Sequence, residues 1–137
     1  MFFKKKKEEK NNNFLTKVCA LMIHAAKIDE NYTDIEEKII KETLVELGLE
    51  KNQTTVIIND AKKIEENSNQ ILDFTREVKN MHEQDKNKIV EALWSIIYSN
   101  KDADLYETNL MRRLAGLLYI DTKTMGDIKE RVKKENS

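Results

Sequence analysis

Acidic side chains recur at a fixed spacing in two places along the chain. Glu30, Asp34 and Glu37 stand four and three residues apart, and Asn100, Asp104 and Glu107 repeat that spacing. Residues 29–50 hold eight acids against two lysines. Hard divalent cations of the Ca²⁺ or Mg²⁺ class take several carboxylate or carbonyl oxygens at one point. Two such joints brought together would offer a cation site, with these six residues as ligands. The same residues also have a purely structural use. Thr33-x-x-Glu36 and Asp104-x-x-Glu107 both have the form of a capping box, in which the first side chain accepts an amide of the new helix and the glutamate reaches back. Acids in a first helical turn also complement the helix dipole. Neither joint is an EF-hand loop, since the central glycine and the alternating ladder of acids are missing. Cation binding and capping both remain open at this level.

The other groups able to do chemistry are sparse. Cys19 and His24 are five residues apart, roughly 140° round a helix, so they do not converge on one ligand. His82 adjoins Glu83 and Asp85, but zinc needs three or four ligands. No Ser/His/Asp or Cys/His nucleophile arrangement is legible. The three glycines lie far apart, which excludes a glycine-rich phosphate loop. The expectation is a domain without catalytic residues and with no small-molecule substrate. Arg112-Arg113 admit two readings, a structural ion pair against the acidic joints or a solvated pair. Met22, Met81, Met111 and Met125 fall at core spacing and read as filler.

The elements that must position these residues are helices. The 137 residues include no proline, and proline and glycine are the strongest helix breakers. Apolar residues recur at three- and four-residue intervals in seven segments. The first carries Phe14, Leu15, Val18, Leu21, Met22, Ala25 and Ala26. The second carries Ile35, Ile39, Ile40, Leu44 and Leu47 and closes at Gly48. Val56, Ile57, Ala61 and Ile64 mark a polar third. Ile71, Phe74, Val78 and Met81 mark a fourth, with Ser68 as its N-cap. Ile89, Val90, Leu93, Trp94 and Ile97 mark the fifth, the most apolar and therefore central. Trp94 reads as a core residue. Leu110, Met111, Leu114, Leu117 and Leu118 mark the sixth. Met125, Ile128 and Val132 mark the last, capped by Asp121 or Thr122. The fold expected is all-α, a compact bundle of about seven helices.

The first two helices resemble the fifth and sixth, giving an approximate internal two-helix repeat. Asp34 and Glu37 match Asp104 and Glu107 at an offset of 70. Leu47 and Leu49 match Leu118 and Ile120 at an offset of 71, so one residue of slippage is needed. Two units are too few for a solenoid and suggest a pseudo-symmetric bundle.

The formal net charge of −1 is unevenly placed. Residues 1–13 carry five Lys and two Glu and read as a disordered basic lead, followed by one helical domain over residues 14–135. Phe2-Phe3 ahead of Lys4–Lys7 would allow weak contact with an anionic membrane surface. The remainder is acidic overall, so it is no nucleic-acid footprint. The start lacks the features of a secretory signal, and the single cysteine cannot form an internal disulfide. A cytoplasmic location, peripheral at the inner membrane face where the lead engages lipid, is the expectation.

These residues carry a resemblance to the TerB-like tellurite-resistance family, which also supplies the N-terminal domain of DjlA-type membrane co-chaperones. The family pattern is an apolar helix leading to A-D-G-x-[IL]-D-x-x-E, then an arginine-containing helix and L-L-G-[IL]. The second unit runs Ser99 to Glu107, then Leu110-Met111-Arg112-Arg113-Leu114-Ala115, then Leu117-Leu118-Tyr119-Ile120. The first runs Asp29 to Glu37. Phe74-Thr75-Arg76-Glu77 and Glu91-Ala92-Leu93-Trp94 resemble the family's central segment. The chain departs from the pattern at both joint glycines, replaced by Asn31 and Lys101, at the leading acids, where Glu30 and Asn100 stand, and at the closing glycine of the second unit, replaced by Tyr119. The resemblance implies a non-catalytic helical domain tied to envelope or chemical stress, with an unknown protein partner and a divalent cation as the cofactor its acidic joints would hold.

Overall fold

The computed structural model describes the backbone of residues 2–28, 32–68, 71–99 and 105–136, and the side chains of these except 2–11 and 105–108. Seven α-helices follow in order: α1 (Phe2–Ala26), α2 (Asp34–Glu46), α3 (Thr54–Asn67), α4 (Leu72–Val78), α5 (Glu83–Tyr98), α6 (Leu105–Leu117) and α7 (Thr122–Glu135). A single 3₁₀ turn, Lys51–Gln53, leads into α3. No strand occurs among the described residues.

Two helices share the centre. α5 buries Ile89, Val90, Leu93, Trp94, Ile96 and Ile97, as its all-round apolar character requires. α1 is buried just as completely: Val18, Cys19, Ala20, Leu21 and Met22 are all fully buried. The consecutive run leaves no solvent face on this stretch, because α1 meets neighbours on every side. It packs against α2, α3, α4 and α5. α2 also leans on α5, α7 covers the other side of α5, and α6 touches α4. α1 begins at Phe2, so the lead that composition reads as disordered is continuous with the first apolar segment. Lysine and glutamate are good helix formers, which permits that continuation.

Local signals fix most boundaries. Thr33 closes a full capping box: its hydroxyl accepts the Glu36 amide at 3.1 Å, and the Glu36 carboxylate accepts the Thr33 amide at 2.8 Å. Asp121 caps α7, accepting the Thr124 amide at 2.6 Å, and that bond holds its carboxyl below the usual range. Ser68 belongs to the end of α3 and not to the start of α4. α4 starts four residues later, and its N-cap, Ile71, makes no side-chain cap. On α3 the buried face is Thr54, Ile57, Ile58 and Ala61, while Val56 and Ile64 point outward. Ile35 of α2 is likewise exposed. Short polar helices carry their few apolar residues on two faces, and pattern alone does not rank them.

The internal repeat shows in how its second helices end: the last residues of α2 and α6 are related by an offset of 71. Both end in a Schellman motif. The Leu49 amide donates to the Leu44 carbonyl at 3.0 Å and the Gly48 amide to Val45 at 3.0 Å. The Ile120 amide donates to Ala115 at 3.0 Å and the Tyr119 amide to Gly116 at 3.3 Å. That offset agrees with the match of Leu47 and Leu49 to Leu118 and Ile120, while Asp104 and the Glu107 side chain lie outside the described residues.

Candidate functional site

The junction of α1, α2 and α3 gathers most of the groups singled out above. Cys19 on α1 is fully buried, and burial pushes its thiol up to about 12. Tyr32, just before α2, donates its hydroxyl to Glu37 Oε1 at 3.4 Å. Burial and the nearby Glu37 carboxylate raise the Tyr32 phenol well above its ordinary value. Lys62 of α3 completes the cluster. Its Nζ stands 3.3 Å from Glu37 Oε1 and 5.1 Å from the centre of the Tyr32 ring. The cation and the phenol thus meet on the same Glu37 carboxylate oxygen.

Of the six residues proposed as cation ligands, Asp34 and Glu37 are described. Asp34 is exposed in the first turn of α2, where it complements the helix dipole. Glu37 is half-buried and ion-paired with Lys62. Glu30, Asn100 and Asp104, and the side chain of Glu107, lie outside the described residues. Among the described residues no three His, Cys, Asp or Glu side chains stand together as a metal group. Glu36, the neighbour of Glu37, is buried within its capping box.

The remaining candidates are tied into the bundle in the same way. His24 Nδ1 lies 3.3 Å from Glu65 Oε1, and Lys27 Nζ donates to Glu65 Oε2 at 2.8 Å. The Glu65 hydrogen bond raises the Lys27 ammonium. His82 is an exposed N-cap residue whose side chain makes no cap bond. Trp94 is buried, with its indole N–H 3.3 Å from Met125 Sδ. Met22, Met111 and Met125 are core residues, and Met81 packs at the core's edge.

Several residues were not legible as partners. Lys62 and Glu65 sit on a helix that reads as merely polar, and their roles depend on which face meets α1. Lys86 of α5 is buried and donates its Nζ to the Leu118 carbonyl at 2.9 Å, tying α5 to the end of α6. Nothing local in the sequence marks that lysine. Tyr119 is different, because its substitution for a closing glycine is visible in the sequence. It adopts φ 55, the one positive φ at a non-glycine among the described residues. Its exposed ring flanks a groove between α4 and α6, lined by Leu72, Thr75, Arg76, Lys79, Gly116 and Leu117.

Helices packed on two central helices, with the Thr33–Glu37 joint engaged in a cap and an ion pair, define a small all-α domain. The family model described as tellurite resistance protein TerB matches residues 15–130, and the chain belongs to that family. No curated protein and no solved structure matches it.

Proposed function

We propose that this domain is a non-catalytic interaction scaffold of the TerB type, acting in envelope or chemical stress through a protein partner. One observation supports the reading beyond family membership: among the described residues, Cys19, Glu37, Thr33 and Glu36 are held in structural roles. Cys19 is a buried thiol shifted away from ionisation, Glu37 is paired with Lys62, and Thr33 and Glu36 close a cap. The resemblance to the N-terminal domain of DjlA-type co-chaperones supports a place at the inner membrane face, on the cytoplasmic side. No described helix is long and apolar enough to cross a membrane; the basic lead would supply contact with anionic headgroups.

The divalent-cation reading of the acidic joints is the alternative. The ion pair at Glu37 disfavours it, since a ligand carboxylate would have to leave Lys62. The test pairs two measurements on the full chain. Chemical cross-linking in the native cell, followed by reconstitution from purified components, is expected to return a defined partner polypeptide. Calorimetry with Ca²⁺, Mg²⁺ and Mn²⁺ is expected to show no heat that the double variant Asp34→Ala with Asp104→Ala abolishes. Metal-dependent turnover of phosphate or carboxylate esters without any reconstituted partner would overturn the scaffold reading.

A further inference from the structure

The α4–α6 groove differs from the rest of the surface in charge, shape and backbone. On α4, Leu72, Thr75, Arg76 and Lys79 form one stripe at intervals of three and four residues, the spacing that places side chains on a common face. All four line the groove. Across from them stand Gly116, Leu117 and Tyr119. Arg112 precedes Gly116 by four residues and Arg113 precedes Leu117 by four, so both continue that side of the groove along α6. Both arginines are exposed.

Among the described residues no acid lines the groove. Among the described residues none of Arg76, Lys79, Arg112 and Arg113 has an ion-pair partner. The acids of α4 are engaged elsewhere: Glu77 with Lys17 at 3.1 Å, and Asp73 as acceptor from the Ser68 hydroxyl at 3.2 Å. Among the described residues, then, Arg76 and Lys79 in the groove and Arg112 and Arg113 along α6 carry no ion-paired counter-charge, on a body that is acidic overall.

Shape narrows the occupant. The groove encloses about 260 Å³, below the range of about 300–1,000 Å³ typical of ligand and cofactor pockets. That is room for a side chain of a partner and not for a cofactor. The apolar groups beside it are exposed: Leu72 at 41 % and Tyr119 at 70 %. Backbone strain points to the same spot. Gly48 makes the equivalent turn of the first unit, whereas here a bulky residue is kept in the left-handed region. The left-handed conformation is what the C′ position of the Schellman motif requires; that a tyrosine fills it in place of glycine sets its ring beside the groove. The Tyr119 ring reaches back toward α4, with Lys79 Nζ 5.7 Å from its centre.

We infer that this groove docks an acidic segment of a partner protein. One apolar side chain of the segment seats between Leu72 and Tyr119, and the flanking carboxylates meet Arg76, Lys79, Arg112 and Arg113. The inference rests on the scaffold reading and gives it a surface and a partner chemistry. A nucleic acid would supply charge without an apolar side chain to seat.

The test is fluorescence anisotropy on the full chain, with a labelled peptide carrying a run of glutamates around one central leucine. Binding that weakens with added salt is expected. Arg76→Glu combined with Lys79→Glu should weaken it by about tenfold or more. Tyr119→Gly, which suits the same turn, should weaken it by about threefold while circular dichroism stays unchanged. Charge reversal at Lys41 and Lys51, on a separate face, should leave it unaltered. No saturable binding at millimolar peptide, or binding indifferent to the groove variants, overturns the inference. So does preference for phosphatidylglycerol vesicles or single-stranded DNA over the peptide. A reconstituted partner that cross-links to another face would remove the groove but leave the scaffold reading standing. Absence of any partner together with metal-dependent turnover would remove both.

Discussion

Cys19 is the group whose behaviour separates a structural thiol from a working one. A nucleophilic or metal-binding cysteine acts as the thiolate and sits where reagents reach it. Here burial raises the thiol from 9.0 to about 12. At pH 8 that rise lowers the thiolate fraction about a thousandfold. The side chain is also fully enclosed, so reaction has to pass through an open form. A domain stable by only about 5 kcal/mol populates its unfolded form at roughly one molecule in several thousand. Both routes set the same scale. An aromatic disulfide reagent at pH 8 should label the native chain at least about a thousandfold more slowly than the urea-denatured chain. The rate should rise with urea in step with unfolding. Native labelling within about tenfold of the denatured rate would refute the reasoning, because it would require an accessible, ionisable thiol at position 19.

The same buried acids predict alkaline sensitivity. A thiol whose pKa is raised by folding keeps its proton longer in the native state, so stability is intact below about pH 9 and falls as pH rises from 9 toward 12. The slope from Cys19 is about 1.4 kcal/mol per pH unit across that window; Tyr32 and Tyr98, also raised by burial, extend it above 10. Urea midpoints at pH 8 and pH 10 for the native chain and Cys19→Ala check this, with a smaller loss expected in the variant. Gly48→Ala should cost about 1–2 kcal/mol: its φ of 106 lies where L-residues are strained, although nothing crowds a Cβ there. Tyr119→Gly at φ 55 should shift the midpoint far less, because the strain relieved offsets the added freedom of the unfolded chain and the lost contact with Lys79. Thr33→Ala should cost about 1 kcal/mol through loss of the capping box, seen as a lower thermal midpoint.

The seven helices were legible because each carries an apolar stripe of helical period and no proline interrupts any of them. Trp94, Leu93 and Ile97 read as core and are core. What periodicity could not rank was the company each helix keeps. α1 matches α5 in burial because four helices surround it, a property of topology and not of its own pattern. Ser68 has the residue type of an N-cap but closes α3, since capping residues serve chain reversals on either side. For the acidic joints, the capping box at Thr33 and Glu36 was readable from spacing. The ion pair of Glu37 with Lys62 was not, because it joins residues 25 positions apart on different helices. Tyr119 was visible only as a missing glycine. That its ring flanks a cationic groove emerged once α4 and α6 were side by side.

The central claim is that this domain works by holding a protein partner and not by chemistry. Placing a photo-activatable amino acid at position 119 of the full chain, in its own cells, tests that claim most directly. The account predicts one discrete cross-linked product, identified by mass spectrometry as an acidic segment and abolished by Arg76→Glu with Lys79→Glu. No discrete product from position 119 or from any other exposed position, in cells where the protein is folded and abundant, would contradict it.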